Sequence, residues 1–265
     1  MNSTAKSDPC LRDNLSIPLD CLKKHSLPYT ENNISYDILY EKDILRAAAC
    51  LTEAYFSDPK TQLCAQTELI GYQQYFKKYN PMFLDICKAA VEKESPPSFI
   101  AKTLSEEVVG VLLTGECHSD DLEAAHPLCS AAAPPEYEPV IDMVKQLDLQ
   151  ISQQYPEIKT HKTLHLCNEG VLPEYRHREV GLNLGLLCME HAISGGYDYV
   201  IAETSTRATQ YILQKYVRFS VVAELNYKTY SFKGQHPFAH LADLPSELSC
   251  QSYLAMVKQI DRRKN

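Results

Sequence analysis

The residues best placed to do chemistry lie in the run Val171-Leu-Pro-Glu-Tyr-Arg-His-Arg-Glu-Val-Gly-Leu-Asn-Leu-Gly185. An apolar stretch ends at Pro173, whose missing N–H and fixed φ stop sheet pairing, and a helix-forming stretch begins within the next turn. The first N–H groups of such a helix, over residues 177–182, have no intrahelical acceptor and carry the positive end of the helix dipole. With the cations Arg176 and Arg178 beside them, they form a receptor for a pyrophosphate. Gly181 lets an anion approach the backbone where a Cβ would obstruct it. The plainer alternative is a solvated helix start that happens to be basic.

The same run, Pro173-Glu-Tyr-Arg176-x-x-Glu179-x-Gly181, resembles the Arg/Gln-x-x-Gly-x-Gly/Ala acetyl-CoA signature of the GNAT N-acetyltransferase superfamily, including the Val-x-Pro-x-Tyr-Arg lead-in. One position departs: Glu179 stands where the family usually has its first glycine. The segment Phe219-Ser-Val-Val-Ala-Glu-Leu-Asn-Tyr-Lys-Thr-Tyr230, with Lys233-Gly234 and Phe238 behind it, is similar to the C-terminal hairpin of invertebrate, dopamine-type arylalkylamine N-acetyltransferases. The likeness covers about residues 35–241. It implies acetyl-CoA as co-substrate. Backbone groups of Glu169, Gly170 and Val171 would pair with the pantetheine arm, while Arg176, His177, Arg178, Glu179, Val180, Gly181 and Leu182 would hold the diphosphate.

Acetyl transfer from a thioester to an amine needs the amine unprotonated, because an alkylammonium with a pKa near 10.4 has no free lone pair. Counting back from Arg176, His165 falls where vertebrate arylalkylamine enzymes place the first of two proton-path histidines, and Cys167 replaces the second. The alternative is an ordinary strand histidine. Invertebrate relatives take a glutamate from an Asp-Glu-Pro run after the first helix; this chain has Ser57-Asp58-Pro59. Asp58 or Glu53 could bind the substrate cation or act as base, or Asp58 could be only a turn residue before proline. For the proton donor, Tyr211 lies near the expected helix face, and Ser205 with Thr209 reproduces a serine spacing of those relatives. The competing role there is helix capping by Thr204, Ser205 or Thr206. Gln214 and Arg218 replace a tyrosine and a glycine that the family usually keeps.

These side chains require a scaffold of alternating strands and helices. Strands are expected at 35–41, 98–104, 107–115, 163–171, 199–204 and 219–230, and helices at 44–56, 66–79, 81–94, 136–155 and 206–217, besides the one opening after Pro173. Asp43 is the expected cap of the first helix. Residues 116–135 read as a long loop, and 245–260 as a short closing helix. The implied architecture is one mixed α/β domain over residues 35–245, with a central, mostly antiparallel sheet flanked by helices, a loosely held extension at 1–34 and a tail at 246–265.

Bulk properties narrow the function. A net charge of −8 and a pI near 5.6 disfavour nucleic-acid or anionic-membrane partners, which need a basic surface. No apolar run approaches the roughly 18 residues of a membrane span, and the start has no apolar signal core. The ten cysteines contain no Cys-x-x-Cys pair, so they read as reduced fillers of a cytoplasmic protein with no metal site. The expected activity is acetyl-CoA-dependent N-acetylation of a small primary amine by direct attack in a ternary complex. Two alternatives stay open: a CoA-binding sensor module that has lost catalysis, and a transferase acting on a polyamine, amino acid or protein lysine.

Overall fold

In the computed structural model, which describes residues 26–57, 71–92, 96–117, 132–243 and 250–261, eight strands form one sheet in the order β1-β2-β3-β4-β5-β6-β8-β7. The strands are β1 (Tyr29–Glu31), β2 (Ile34–Ile38), β3 (Phe99–Thr103), β4 (Val108–Cys117), β5 (Thr163–Val171), β6 (Tyr199–Thr204), β7 (Ser220–Asn226) and β8 (Ser252–Gln259). Every pairing is antiparallel except β5 with β6. The helices are α1 (Ile44–Phe56), α2 (Tyr72–Ala89), α3 (Glu138–Gln154), α4 (Val180–Ser194) and α5 (Arg207–Ile212). This is the mixed α/β architecture expected from the sequence. Among the described residues, no helix is long and apolar enough to cross a membrane.

The sheet extends beyond the expected interval at both ends. Asn32 and Asn33 adopt φ of 50° and 64°, the two positive angles that close a tight hairpin between twisted strands, and so join β1 to β2. At the other end β8 is a strand, where a closing helix was expected, and it lies between β6 and β7. Its run Ser-Tyr-Leu-Ala-Met-Val-Lys-Gln is largely buried. A short apolar run of that kind has no period to separate strand from helix.

Helix α2 corrects a second expectation. Two helices separated at Pro81 were expected, yet one helix runs through it. Pro81 is exposed, so the carbonyl that loses its N–H partner faces water and the interruption costs less than it would in a core. Asp43 precedes α1 without capping it: its side chain makes no cap hydrogen bond and instead pairs with Arg46.

The helices divide between the two faces. A Cβ on Gly170 would meet Leu51 and Ala54 of α1 at 3.0 Å, whereas one on Gly110 would meet Val180 of α4 at 2.8 Å. Helix α1 therefore covers one face of β4 and β5, and α4 covers the other. Helix α2 packs on α1, and α3 packs on β7 and β8.

Candidate active site

Two interruptions of regular pairing in β5 shape the site. Leu113 pairs with Asn168 and Thr114 with Leu166, which leaves Cys167 as a bulge. An extra residue reverses the alternation beyond it, so His165 shares the α1 face with Asn168 and Gly170, while Glu169 turns toward α4. Parallel pairing with β6 stops at Leu166 and Ala202. Beyond that point no pairing joins residues 167–171 to 203–204, an opening in the hydrogen-bond ladder that leaves the β6-facing backbone of β5 unengaged by β6.

The opening ends at the start of α4. Leu172 stays attached to the sheet through its N–H to Val109 O at 3.0 Å, and a 3-10 turn follows over Pro173–Tyr175. His177 and Glu179 then take φ of 60° and 63°. Both are left-handed angles, costly for residues with a Cβ. The position where the family signature has glycine is thus held in a glycine-like conformation by Glu179. Arg218 is a parallel case: it too replaces a family glycine, and it ends the turn Leu213–Val217 at φ 65°. The intrahelical ladder of α4 begins with Asn183 N–H to Glu179 O, so the N–H groups of Val180, Gly181 and Leu182 have no acceptor within the helix. Asn183 itself donates to Glu31 and to the Tyr36 hydroxyl, each at 3.0 Å, which ties α4 to the N-terminal hairpin.

The two arginines of this loop differ in placement. Arg176 points inward, donating to Val171 O at 3.2 Å, Ala54 O at 2.9 Å and Ser57 Oγ at 2.7 Å. Its guanidinium joins the loop to the end of α1. Arg178 is exposed, 5.3 Å from the Tyr175 ring. Two carboxylates adjoin the helix start. Glu179 is exposed, and Glu169 Oε1 lies 2.7 Å from where a Cβ on Gly181 would stand. Burial pushes the Glu169 carboxyl up to about 7, partly offset by a hydrogen bond from Thr209 of α5. Gly181 and the free helix start fit an anionic group, with Glu169 and Glu179 opposing it by charge.

On the α1 face, where the opening begins, three buried ionisable side chains converge. His165 Nε2 lies 2.6 Å from Glu203 Oε2, and their side chains are 8% and 3% exposed. Asp148 of α3, 2% exposed, stands beside Glu203. Burial and then the Glu203 charge push Asp148 up to about 9. For His165, burial opposes the charged ring, but Glu203 and Cys167 together, through charge and hydrogen bonding, outweigh it and hold the imidazole well above its ordinary value. Cys117 and Tyr253 line the same group; burial raises the Cys117 thiol to about 11 and lifts the Tyr253 phenol well above its ordinary value. Tyr55 of α1 donates to Asn168 Oδ1 at 3.1 Å.

The structure thus brings His165 together with two acids that the motif-based reading missed. A signal for each was present. Asp148 interrupts the apolar face formed by Val144, Leu147 and Ile151, and Glu203 ends the apolar strand Tyr-Val-Ile-Ala. Charged residues in such places are rarely fully buried without a role for a partner. Other candidates are spread out. Thr206 is the cap of α5, accepting from Thr209 N–H at 3.2 Å, and Thr209 reaches Glu169. Ser205 offers its carbonyl to the Tyr227 hydroxyl and the Cys250 thiol. The Tyr211 hydroxyl accepts from Lys215 at 2.6 Å, away from the His165 group on an exposed face. Glu53 faces the Tyr72 hydroxyl at 3.5 Å, and Asp58 lies outside the described residues.

No protein-family model matches the chain, and no curated protein matches it. Solved structures do. Arylalkylamine N-acetyltransferase 2 from Aedes aegypti is similar over 87% of this chain and 100% of its own, with TM-score 0.61 and 15% identity. Drosophila melanogaster polyamine N-acetyltransferase, which catalyses formation of N-acetylagmatine, is similar over 86% of this chain and 100% of its own, with TM-score 0.60 and 14% identity. The C-terminal condensation domain of Ebony, in complex with β-alanyl-dopamine, is similar over 86% of this chain and 99% of its own, with TM-score 0.63 and 14% identity. The likeness to these solved structures shows that this chain has the fold of the GNAT N-acetyltransferases.

Proposed function

We propose that the chain is an N-acetyltransferase that moves the acetyl group of acetyl-CoA to a small primary amine by direct attack. The observation that carries this reading is the end of β5–β6 pairing at Leu166 and Ala202, which leaves residues 167–171 unpaired by β6 along the strand between the buried His165 group and the α4 helix start. A thioester arm with an anionic tail matches both ends of such a stretch. Backbone of Glu169, Gly170 and Val171 on the edge away from β4 would hold the arm's amides, and the N–H groups of Val180, Gly181 and Leu182 would face the diphosphate. Arg178 adds an exposed cation nearby. Arg176 would serve the site by fixing the loop to α1.

The acceptor reading rests on the named relatives, which act on arylalkylamines and on agmatine, and on the acidic net charge of the chain. The test is thiol release from acetyl-CoA with tyramine, dopamine, serotonin, agmatine, spermidine, amino acids and a lysine peptide. Release with at least one small amine supports the proposal, and none with any acceptor would sink it. A second reading, a CoA-binding module without turnover, draws on the Glu169 and Glu179 carboxylates at the anion cradle. It is distinguished by calorimetric binding of acetyl-CoA without thiol release.

A further inference from the structure

We propose that Glu203 and Asp148 are positioning residues that hold His165 as an imidazolium, so that its ring gives a proton to the departing thiolate before taking one from the nitrogen of the new amide. The transfer part rests on the acetyltransferase reading; the charge assignment does not. Geometry supplies the argument. A carboxylate 2.6 Å from a buried imidazole makes a charge-assisted pair, and burial leaves no bulk water to screen it. Two carboxylates side by side in a buried pocket cannot both ionise cheaply, so one retains a proton. Glu203 has the imidazole in direct contact as counter-ion, whereas the side chain next to Asp148 is the Glu203 carboxylate, so Asp148 is the group that keeps its proton.

Among the described residues, the groups facing His165 include Cys117 from β4, Cys167 from β5, Glu203 from β6 and Asp148 from α3; Tyr253 from β8 faces the two acids. Cys117 and Tyr253 are neutral near neutral pH, since burial raises both. Asp148 as an acid, Glu203 as a carboxylate and His165 as an imidazolium then sum to zero charge with two protons among three groups.

The proton balance closes over one turnover. The acceptor ammonium first loses a proton to water. As its nitrogen bonds to the carbonyl carbon and the C–S bond breaks, the bonding pair stays on sulfur and the His165 ring proton moves to it. The imidazole, now neutral beside Glu203, takes the surplus proton from the amide nitrogen and returns to imidazolium. One ammonium and one thioester become one amide, one thiol and one released proton.

The test is an NMR titration of the His165 ring in the full chain without acetyl donor, from about pH 5 to about pH 9, spanning the ordinary imidazole value. The parent ring is expected to stay protonated through neutrality. Glu203→Gln should lower the midpoint by about one unit or more, whereas Asp148→Asn, which mimics the protonated acid, should leave it in place. A parent midpoint near 6.5, or an unmoved midpoint in Glu203→Gln, overturns the charge assignment. An Asp148→Asn midpoint that falls as far as that of Glu203→Gln overturns the neutral-acid role. In thiol release, the rate divided by the fraction of acceptor present as free amine, which itself rises with pH up to about 10.4, should fall as pH rises through the His165 midpoint, and that limb should move to lower pH in Glu203→Gln. A limb of this corrected profile that rises through the midpoint marks a base and overturns the donor role. The expected titration with no thiol release from any amine removes the transfer step with the acetyltransferase reading and leaves the charge assignment standing.

Discussion

At the scale of single residues, Arg176 shows how a side chain can belong to a binding motif and yet work through structure. As a cation on a helix-opening loop it is expected to touch a diphosphate, but its guanidinium meets three oxygens that would otherwise lack this donor. Arg176→Ala should therefore destabilise the fold by about 1–2 kcal/mol, the cost of leaving partly buried acceptors without their donor, as read by urea unfolding. Unchanged stability together with weakened CoA binding would restore the simpler phosphate role. Glu169 carries the opposite lesson. Its carboxyl, raised to about 7 by burial, is half-ionised near neutrality beside the α4 start. Affinity for acetyl-CoA should thus fall as pH rises through that value, and Glu169→Gln should flatten the dependence in calorimetry. The sequence made His165 legible because its distance from Arg176 along one strand can be counted. Glu203 and Asp148 could not be found that way: they come from two other elements and meet His165 only after the Cys167 bulge fixes its face.

At the scale of elements, two residues standing where the resembled pattern has glycine adopt backbone angles that favour glycine. Glu179 and Arg218 each replace an expected glycine, and each sits in the left-handed region, at φ 63° and 65°. Loop geometry is therefore kept at a cost in strain of about 1–2 kcal/mol per residue. Glu179→Gly removes this strain and one carboxylate near the anion cradle, and the larger backbone freedom of glycine in the unfolded chain offsets part of the gain. A stabilisation of about 0.5–1 kcal/mol with tighter CoA binding is expected, from urea unfolding and calorimetry. Loss of stability would mean that the Glu179 side chain holds the loop. The central elements were readable because hydrophobic period and breakers agree over β3, β4, β5 and α1. Helix α2 and strand β8 were misread because each shows a signal that context overrides: a solvent-facing proline in one, and a run buried on both faces in the other.

At the scale of the whole molecule, the buried acids make stability depend on pH in a definite direction. A carboxyl raised in the folded state binds its proton more tightly than in the unfolded chain, so folding is favoured at low pH and loses free energy as the unfolded form ionises. For Asp148 that loss spans its unfolded value near 3.8 to its folded value of about 9. His165, also raised, contributes stability that is complete below about 6.5 and is lost as pH rises through its higher folded value. Both trends run together, at up to about 1.4 kcal/mol per pH unit per proton. Urea midpoints should accordingly decline from mildly acidic to alkaline pH, and Asp148→Asn should flatten the decline. A parent midpoint that rises with pH over this range would contradict the buried-acid assignment.

The site depends most on one claim, that the mutually unpaired ends of β5 and β6 and the start of α4 form a single cradle for CoA. Amide chemical-shift mapping of the full chain titrated with CoA addresses this most directly. The expected result is a saturable response concentrated at Glu169, Gly170, Val171, Val180, Gly181 and Leu182. Saturable binding with those amides unmoved, or no response at all, would contradict it.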